Sequence, residues 1–284
     1  MLKPKELLYF YRLRNWENKI CGLRVICYAI FGYMMAGQFD FLLILVNTLA
    51  IFGVMMCYYP LADYFDYKVE KERNFLASKI EKSELSVKEL PFYILLPLLL
   101  IFPLVFINRL FSLNPVPIIL LFLGFALLFI YSFPQTRLKE RKITGIVVAP
   151  LGAALLFLQA YSLLGDLNLN ILLLFILVLV YHYYLEMLHI IDDYFIKSKT
   201  GEVKIEKSLK LLEKIPLVSL IISLLFSFFN LIFLITVPFS LIRMRAVNKI
   251  KIENIHKMRS NIFSPLLSIY EFGIYGILGV LGLF

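Results

Sequence analysis

Phe41 to Leu61 (FLLILVNTLAIFGVMMCYYPL) carries no charge and runs straight into Ala62-Asp63-Tyr64-Phe65-Asp66-Tyr67-Lys68-Val69-Glu70. An apolar run of that length covers about 30 Å of hydrocarbon as a helix. On a continued helix Asp63, Asp66 and Glu70, at i, i+3 and i+7, share one face. Carboxylates at the end of a membrane helix are expensive unless a cation sits with them. A divalent cation, or a phosphate bridged by one, is the natural guest. The plainer reading is a helix end entering water, with Lys68 and Lys71 pairing locally with the acids.

The rest of the chain agrees with a membrane setting. Of its 284 residues, 61% are hydrophobic and 17% charged, against roughly 45–50% and 25% for soluble domains. This composition predicts an all-α, polytopic membrane helical bundle forming a single transmembrane domain over 1–284. Met1 to Lys19 carries Lys3, Lys5, Arg12, Arg14 and Lys19 without a signal-peptide core. It reads as an amphipathic helix on the membrane surface. Cys21, Cys27 and Cys57 lack metal-binding spacing and read as packing residues. The net charge of +9 points to anionic lipid, and no basic-aromatic module points to nucleic acid.

Six apolar stretches stand out, at 21–37, 41–62, 91–107, 116–134, 145–164 and 169–191, with a last one at 262–284. Residues 208–242 are either one tilted helix or a hairpin turning near Asn230, giving eight or nine spans. Basic residues separate the two. With the N-terminus cytoplasmic, the segments before and within the first span, 63–90, 135–144 and 192–215 hold the Lys and Arg, while the outer loops hold Arg109 alone. Only the hairpin puts the basic residues of 243–261 on that same side, so the positive-inside pattern selects nine spans. The segments 63–90, 135–144 and 192–215 then share the cytoplasmic face and can converge on one site.

A second acidic run ends the sixth stretch: Glu186, His189 and Asp193 at i, i+3, i+7, with Asp192 adjacent. Glu186 lies about two turns inside the apolar segment, where a carboxylate needs a partner such as His189 or Arg24, a cation, or an aqueous cavity. A third segment, Tyr131-Ser132-Phe133-Pro134-Gln135-Thr136-Arg137-Leu138-Lys139-Glu140-Arg141-Lys142, is either an orientation signal or a clamp in which Arg137 and Lys139 hold a pyrophosphate. Arg24 reads as a minor inward-pairing residue and Asp40 as interfacial. The tyrosines Tyr58, Tyr59, Tyr181, Tyr183 and Tyr184 suit either an interface belt or a cavity wall.

In this order and spacing the three segments resemble the UbiA superfamily of intramembrane prenyltransferases. Ala62 to Glu70 is similar to N-D-x-x-D-x-x-x-D, Tyr131 to Gly145 to Y-S-x-P-P-x-R-L-K, and Asp193 to Lys197 followed by Gly201 to D-x-x-x-D followed by Gly. The resemblance covers nearly the whole chain. It implies nine transmembrane helices and Mg²⁺-dependent transfer of a polyprenyl group from its diphosphate to an acceptor. It assigns Asp63, Asp66, Glu70, Glu186 and Asp193 to metal, with Asp66 and Asp193 central to catalysis. Arg73, Arg137, Lys139 and Lys197 are assigned to the diphosphate. Three positions depart from the pattern. Ala62 stands for Asn, Glu70 for Asp, and Lys197 for the second Asp of the second motif. Lys197 either pairs with Asp193 at i+4 or touches pyrophosphate in place of part of a second metal, and Asp192 and Glu186 could supply the missing oxygen. Two rivals remain at this level. One is a UbiA-type fold that binds an isoprenoid without catalysis. The other is a cation or proton transporter, against which the apolar outer halves of the spans argue. The acceptor, tail length and oligomeric state are not encoded in any motif.

Overall fold

The computed structural model describes residues 2–11, 21–71, 74–111, 114–136, 138, 144–197, 202–247 and 263–284. Some side chains at helix ends fall outside this description, among them Arg24, Glu70, Arg109, His189, Asp192, Asp193 and Lys197. Arg73, Arg137 and Lys139 lie wholly outside it.

Every regular element among the described residues is helical. In chain order they are α1 (Pro4–Phe10), α2 (Cys21–Met35), α3 (Phe41–Glu70), α4 (Phe75–Glu81), α5 (Leu90–Leu95), α6 (Leu98–Phe111), α7 (Val116–Ser132), α8 (Thr144–Ser162), α9 (Leu169–Lys197), α10 (Glu202–Ser227), α11 (Thr236–Val247) and α12 (Phe263–Val280). Two segments, Phe41–Val69 and Leu169–Leu188, are long and apolar enough to cross a membrane by length and composition.

Local chemistry sets the ends of α3. Asp40 caps its start by accepting from the Leu43 amide at 2.9 Å, so Asp40 has a defined structural task that its interfacial reading lacked. Lys71, at φ 55°, closes the helix in the left-handed conformation. The helix therefore continues through the acidic stripe, as the i, i+3, i+7 spacing expects. Pro60 interrupts the hydrogen-bond ladder three residues before Asp63, since it has no amide to offer the preceding turn.

Close backbone approaches hold the bundle together. A Cβ on Gly32 of α2 would sit 2.5 Å from the Phe157 carbonyl oxygen of α8. A Cβ on Gly279 of α12 would sit 2.5 Å from the Met35 Cα. Hence α2 is wedged between α8 and α12 by small residues, the usual device where lipid offers no hydrophobic drive. The main core gathers Phe157, Leu174, Tyr184, Met187, Phe272 and Tyr275 around α9. A second cluster packs α3 on α6 through Ala50, Ile51, Val54 and Ile101.

The ambiguous stretch 208–242 is a hairpin. The helix α10 stops at Ser227, and the Asn230 side chain accepts from the Ile232 amide at 3.1 Å to start a 3-10 turn over Leu231–Ile235. From there α11 runs back along α10, with Ser240 donating to Ser219 at 3.1 Å.

Four expectations are corrected. Arg243 is not a loop charge: it lies in α11, is buried, and forms an ion pair with Glu271 of α12, which is what allows it there. Arg109 lies in the last turn of α6 rather than in a loop, because that helix runs on to Phe111. The expected loop 192–215 is mostly helix, as α9 continues to Lys197 and α10 begins at Glu202. The stretch 91–107 is two helices, broken at Leu96 and Pro97. Of the N-terminal segment, Pro4–Phe10 is helical and 12–20 lies outside the described residues.

That short helix is tied to the segment after the acidic stripe. Phe10 and Tyr11 pack with Leu76, Leu85, Leu90 and Tyr93. The Tyr11 hydroxyl donates to the Tyr93 carbonyl at 2.7 Å, and Lys79 bridges Glu6, at 2.6 Å, and Glu84.

Candidate functional site

The acidic end of α3 is set among aromatic rings. Asp63 is only 5% exposed, and Asp66, one turn on, is half-buried. Between them Phe65 meets Phe133 edge-on, with centroids 5.7 Å apart, and Phe133 stacks on Phe129 at 4.9 Å. The end of α7 is thus brought against the first motif. One turn and more below Asp63, the Tyr58 hydroxyl lies 2.9 Å from Ser132 Oγ.

The same end of α7 also reaches the second motif. Tyr131 donates to Glu186 Oε1 of α9 at 3.3 Å. Tyr131 and Ser132 are adjacent in sequence, yet one engages α9 and the other α3. The three motifs therefore meet where α7 ends, between the acid-bearing portions of α3 and α9. Glu186, deep in an apolar helix, has among its partners a tyrosine of the third motif, the kind of polar contact its position demanded.

Further residues join this belt that no motif pointed to. His182 lies one turn inward of Glu186 on the same face of α9, at i−4. Its Nδ1 is 2.8 Å from the Tyr28 hydroxyl of α2, and the rings meet edge-on at 5.2 Å. Past the stripe, Asn74 donates from Nδ2 to the Asp63 carbonyl at 2.8 Å. The i, i+4 relation of His182 to Glu186 was visible in the sequence; the partners Tyr28 and Asp63 were not.

On the side of α9 that carries Tyr181, the Arg243 guanidinium lies 4.6 Å from the Tyr181 ring centre and bonds Ser268 at 3.3 Å as well as Glu271. Far from the acids, Asn47 and Gln159 exchange amide hydrogen bonds of 2.7 and 3.2 Å, and Asn47 donates to Tyr33 at 2.7 Å. Asn47 is 16 residues before Asp63, about 24 Å along a helix axis. The half of the bundle away from the acids is therefore not purely apolar. Its amides are buried and satisfied by each other, which makes a helix-to-helix joint rather than a wet path.

The donor chemistry suits a hard divalent cation. Asp63 and Asp66 offer carboxylate oxygens one helical turn apart, the ligand type Mg²⁺ prefers. The remaining candidates are placed by backbone alone: Glu70 ends α3, while Asp193 and Lys197 share the last turns of α9 at i, i+4. Among the described residues no three His, Cys, Asp or Glu groups form a ready-made cluster.

No family model and no curated protein matches the sequence. Solved structures do match in fold over nearly the whole chain. A UbiA homologue from Archaeoglobus fulgidus bound to GPP and Mg²⁺ superposes with a TM-score of 0.69 at 16% identity, covering 97% of this chain and 99% of that one. The same homologue bound to DMAPP and Mg²⁺ gives 0.70 at 17%, covering 97% and 96%. A structure described as digeranylgeranylglyceryl phosphate synthase in membranes gives 0.70 at 18%, covering 98% of each chain. The chain has the fold of these UbiA-type membrane helical bundles.

Proposed function

We propose that this chain is an integral-membrane prenyltransferase of nine spans, transferring a polyprenyl group from its diphosphate to a small aromatic or lipid-precursor acceptor. The observation that carries this reading is the meeting of Tyr131 with Glu186 and of Phe133 with Phe65, which gathers three polar motifs at one end of the bundle. The fold it shares with structures bound to GPP, DMAPP and Mg²⁺ supports the same reading.

In this account Asp63, Asp66, Glu70, Glu186 and Asp193 hold Mg²⁺, which would offset the charge of the leaving diphosphate. Arg73, Arg137, Lys139 and Lys197 hold the diphosphate oxygens directly. The allylic C1–O bond breaks and its electron pair leaves with diphosphate. The acceptor nucleophile forms the new bond to C1 and loses a proton. Tyr58, Tyr131 and Phe65 present aromatic surface to the cationic carbon, and surrounding apolar helices take the tail. Fixed charges and dipoles preorganised in a dry site supply most of the rate gain in such chemistry. The site loops and N-terminus face the cytoplasm in this reading.

One sequence fact favours a second reading. Lys197 places a cation on the α9 face where a carboxylate would complete a second metal site. A chain with that reversal could bind lipid diphosphate without turning it over.

The test is pyrophosphate release by the purified protein with Mg²⁺, polyprenyl diphosphates and a panel of acceptors. Asp66→Asn abolishes release on the first reading, and unchanged turnover in that variant rejects the site. Tight diphosphate binding with no turnover over any acceptor supports the second, and gain of turnover in Lys197→Asp gives that position a metal role.

A further inference from the structure

The acid-bearing end of α3 sits beyond a weak point. Pro60 offers no amide to the ladder three residues before Asp63, while the turns after it stay helical to Glu70. Asn74 meets this segment from outside. Its Nδ2 donates to the Asp63 carbonyl at 2.8 Å, while its Oδ1 accepts from the Ala77 amide at 2.8 Å and caps α4. One side chain thus joins the start of α4 to the start of the acidic stripe. That start is itself anchored, because Leu76 and Ala77 are buried, Leu76 in a cluster with Phe10 of α1 and Leu90 and Tyr93 of α5. Asn74 also lies next to Arg73 in the chain, a residue assigned to the diphosphate.

We propose that Asn74 is a positioning residue for the first acidic motif, fixing the Asp63 turn of α3 relative to the loop that follows so that its carboxylates are preset for a divalent cation. This inference rests on the metal-site reading above. It gives the motif, whose leading position here is Ala62, a polar support from eleven residues downstream.

The two bonds can be separated. Serine is as good a helix cap as asparagine, but its single hydroxyl lacks the second arm that reaches Asp63. Asn74→Ser therefore keeps the cap and loses the tie, while Asn74→Ala loses both. The full-length chain in detergent is titrated with Mn²⁺, followed by electron paramagnetic resonance, in the presence of a non-hydrolysable prenyl thiodiphosphate, and its thermal midpoint is measured in parallel. Asn74→Ser is expected to bind Mn²⁺ roughly threefold to tenfold more weakly, the weight of one hydrogen bond, with a midpoint lowered less than in Asn74→Ala. Asn74→Ala is expected to show the same weakening with a lowered midpoint. Wild-type affinity in Asn74→Ser overturns the inference and leaves the metal site standing. Absence of Mn²⁺ binding in the wild type overturns both.

Discussion

The Tyr131 hydroxyl donates to Glu186 Oε1 at 3.3 Å across 55 residues of sequence. It is the link that joins α7 to the acidic end of α9, and its neighbour Ser132 makes the matching link to α3. A carboxylate two turns inside an apolar helix is kept there by such partners, and a shared site is what the partners create.

Removing the hydroxyl tests that link. Tyr131→Phe loses a hydrogen bond to a carboxylate, worth about 1.5–3 kcal/mol, and pyrophosphate release is expected to fall roughly tenfold to a hundredfold. Tyr58→Phe breaks a bond between neutral hydroxyls and is expected to cost several-fold less. Equal effects of the two would mean that Glu186 has no special part in the site.

The buried pair Arg243–Glu271 carries stability rather than chemistry. Arg243→Met alone leaves a buried carboxylate without its cation and is expected to cost about 3–5 kcal/mol. The double variant Arg243→Met, Glu271→Leu is expected to regain most of that loss. Thermal denaturation of the three proteins in detergent reads the difference.

Two glycines of α12 should behave differently. A Cβ on Gly279 meets the α2 backbone at Met35, 2.5 Å away, and cannot be relieved by a rotamer. At Gly276 the nearest atoms, at 3.1 Å and beyond, belong to the flexible Met34 side chain. Gly279→Ala is expected to cost about 1–3 kcal/mol and Gly276→Ala distinctly less. A reversed order of thermal midpoints would contradict the α2–α12 contact.

The docking of α1 carries a pH signature. The hydrogen bond from Lys79 holds the Glu6 carboxyl below its ordinary 4.5. A depressed carboxyl contributes stability above its unfolded value and loses it as pH falls through the folded one. Lys79 is raised above 10.5 by its bonds to Glu6 and Glu84, so its contribution is present below that value and fades only above it. Amide-exchange protection over residues 2–11, corrected for intrinsic rates, is expected to hold at neutral pH and drop below pH 4.5. In Glu6→Gln that acid step should vanish.

Much of this was legible in the sequence because it is local. The acidic stripe at the end of an apolar run fixes which face of α3 carries the carboxylates, and loop charge selected the hairpin at Asn230 that the bundle contains. Partner choice over long range was not legible. Arg243 counted as a loop charge because nothing near it in sequence announces Glu271, 28 residues on. Nothing near His182 in sequence announces Tyr28, which lies 154 residues away and is brought to it by α2. Nor does any side-chain pattern record the bond from Asn74, which runs back to the backbone carbonyl of Asp63.

The central claim is that the acidic ends of α3 and α9 together hold a cation and a prenyl diphosphate. The most direct measurement is a crystal structure with Mn²⁺ and a prenyl thiodiphosphate, read by anomalous scattering. The account predicts a metal peak within coordination distance of the Asp63 and Asp66 carboxylates, about 2.0–2.2 Å, with the diphosphate between α3 and α9 and the tail among the helices below Tyr131. A diphosphate bound elsewhere, or one bound with no metal at Asp63 and Asp66, would contradict it.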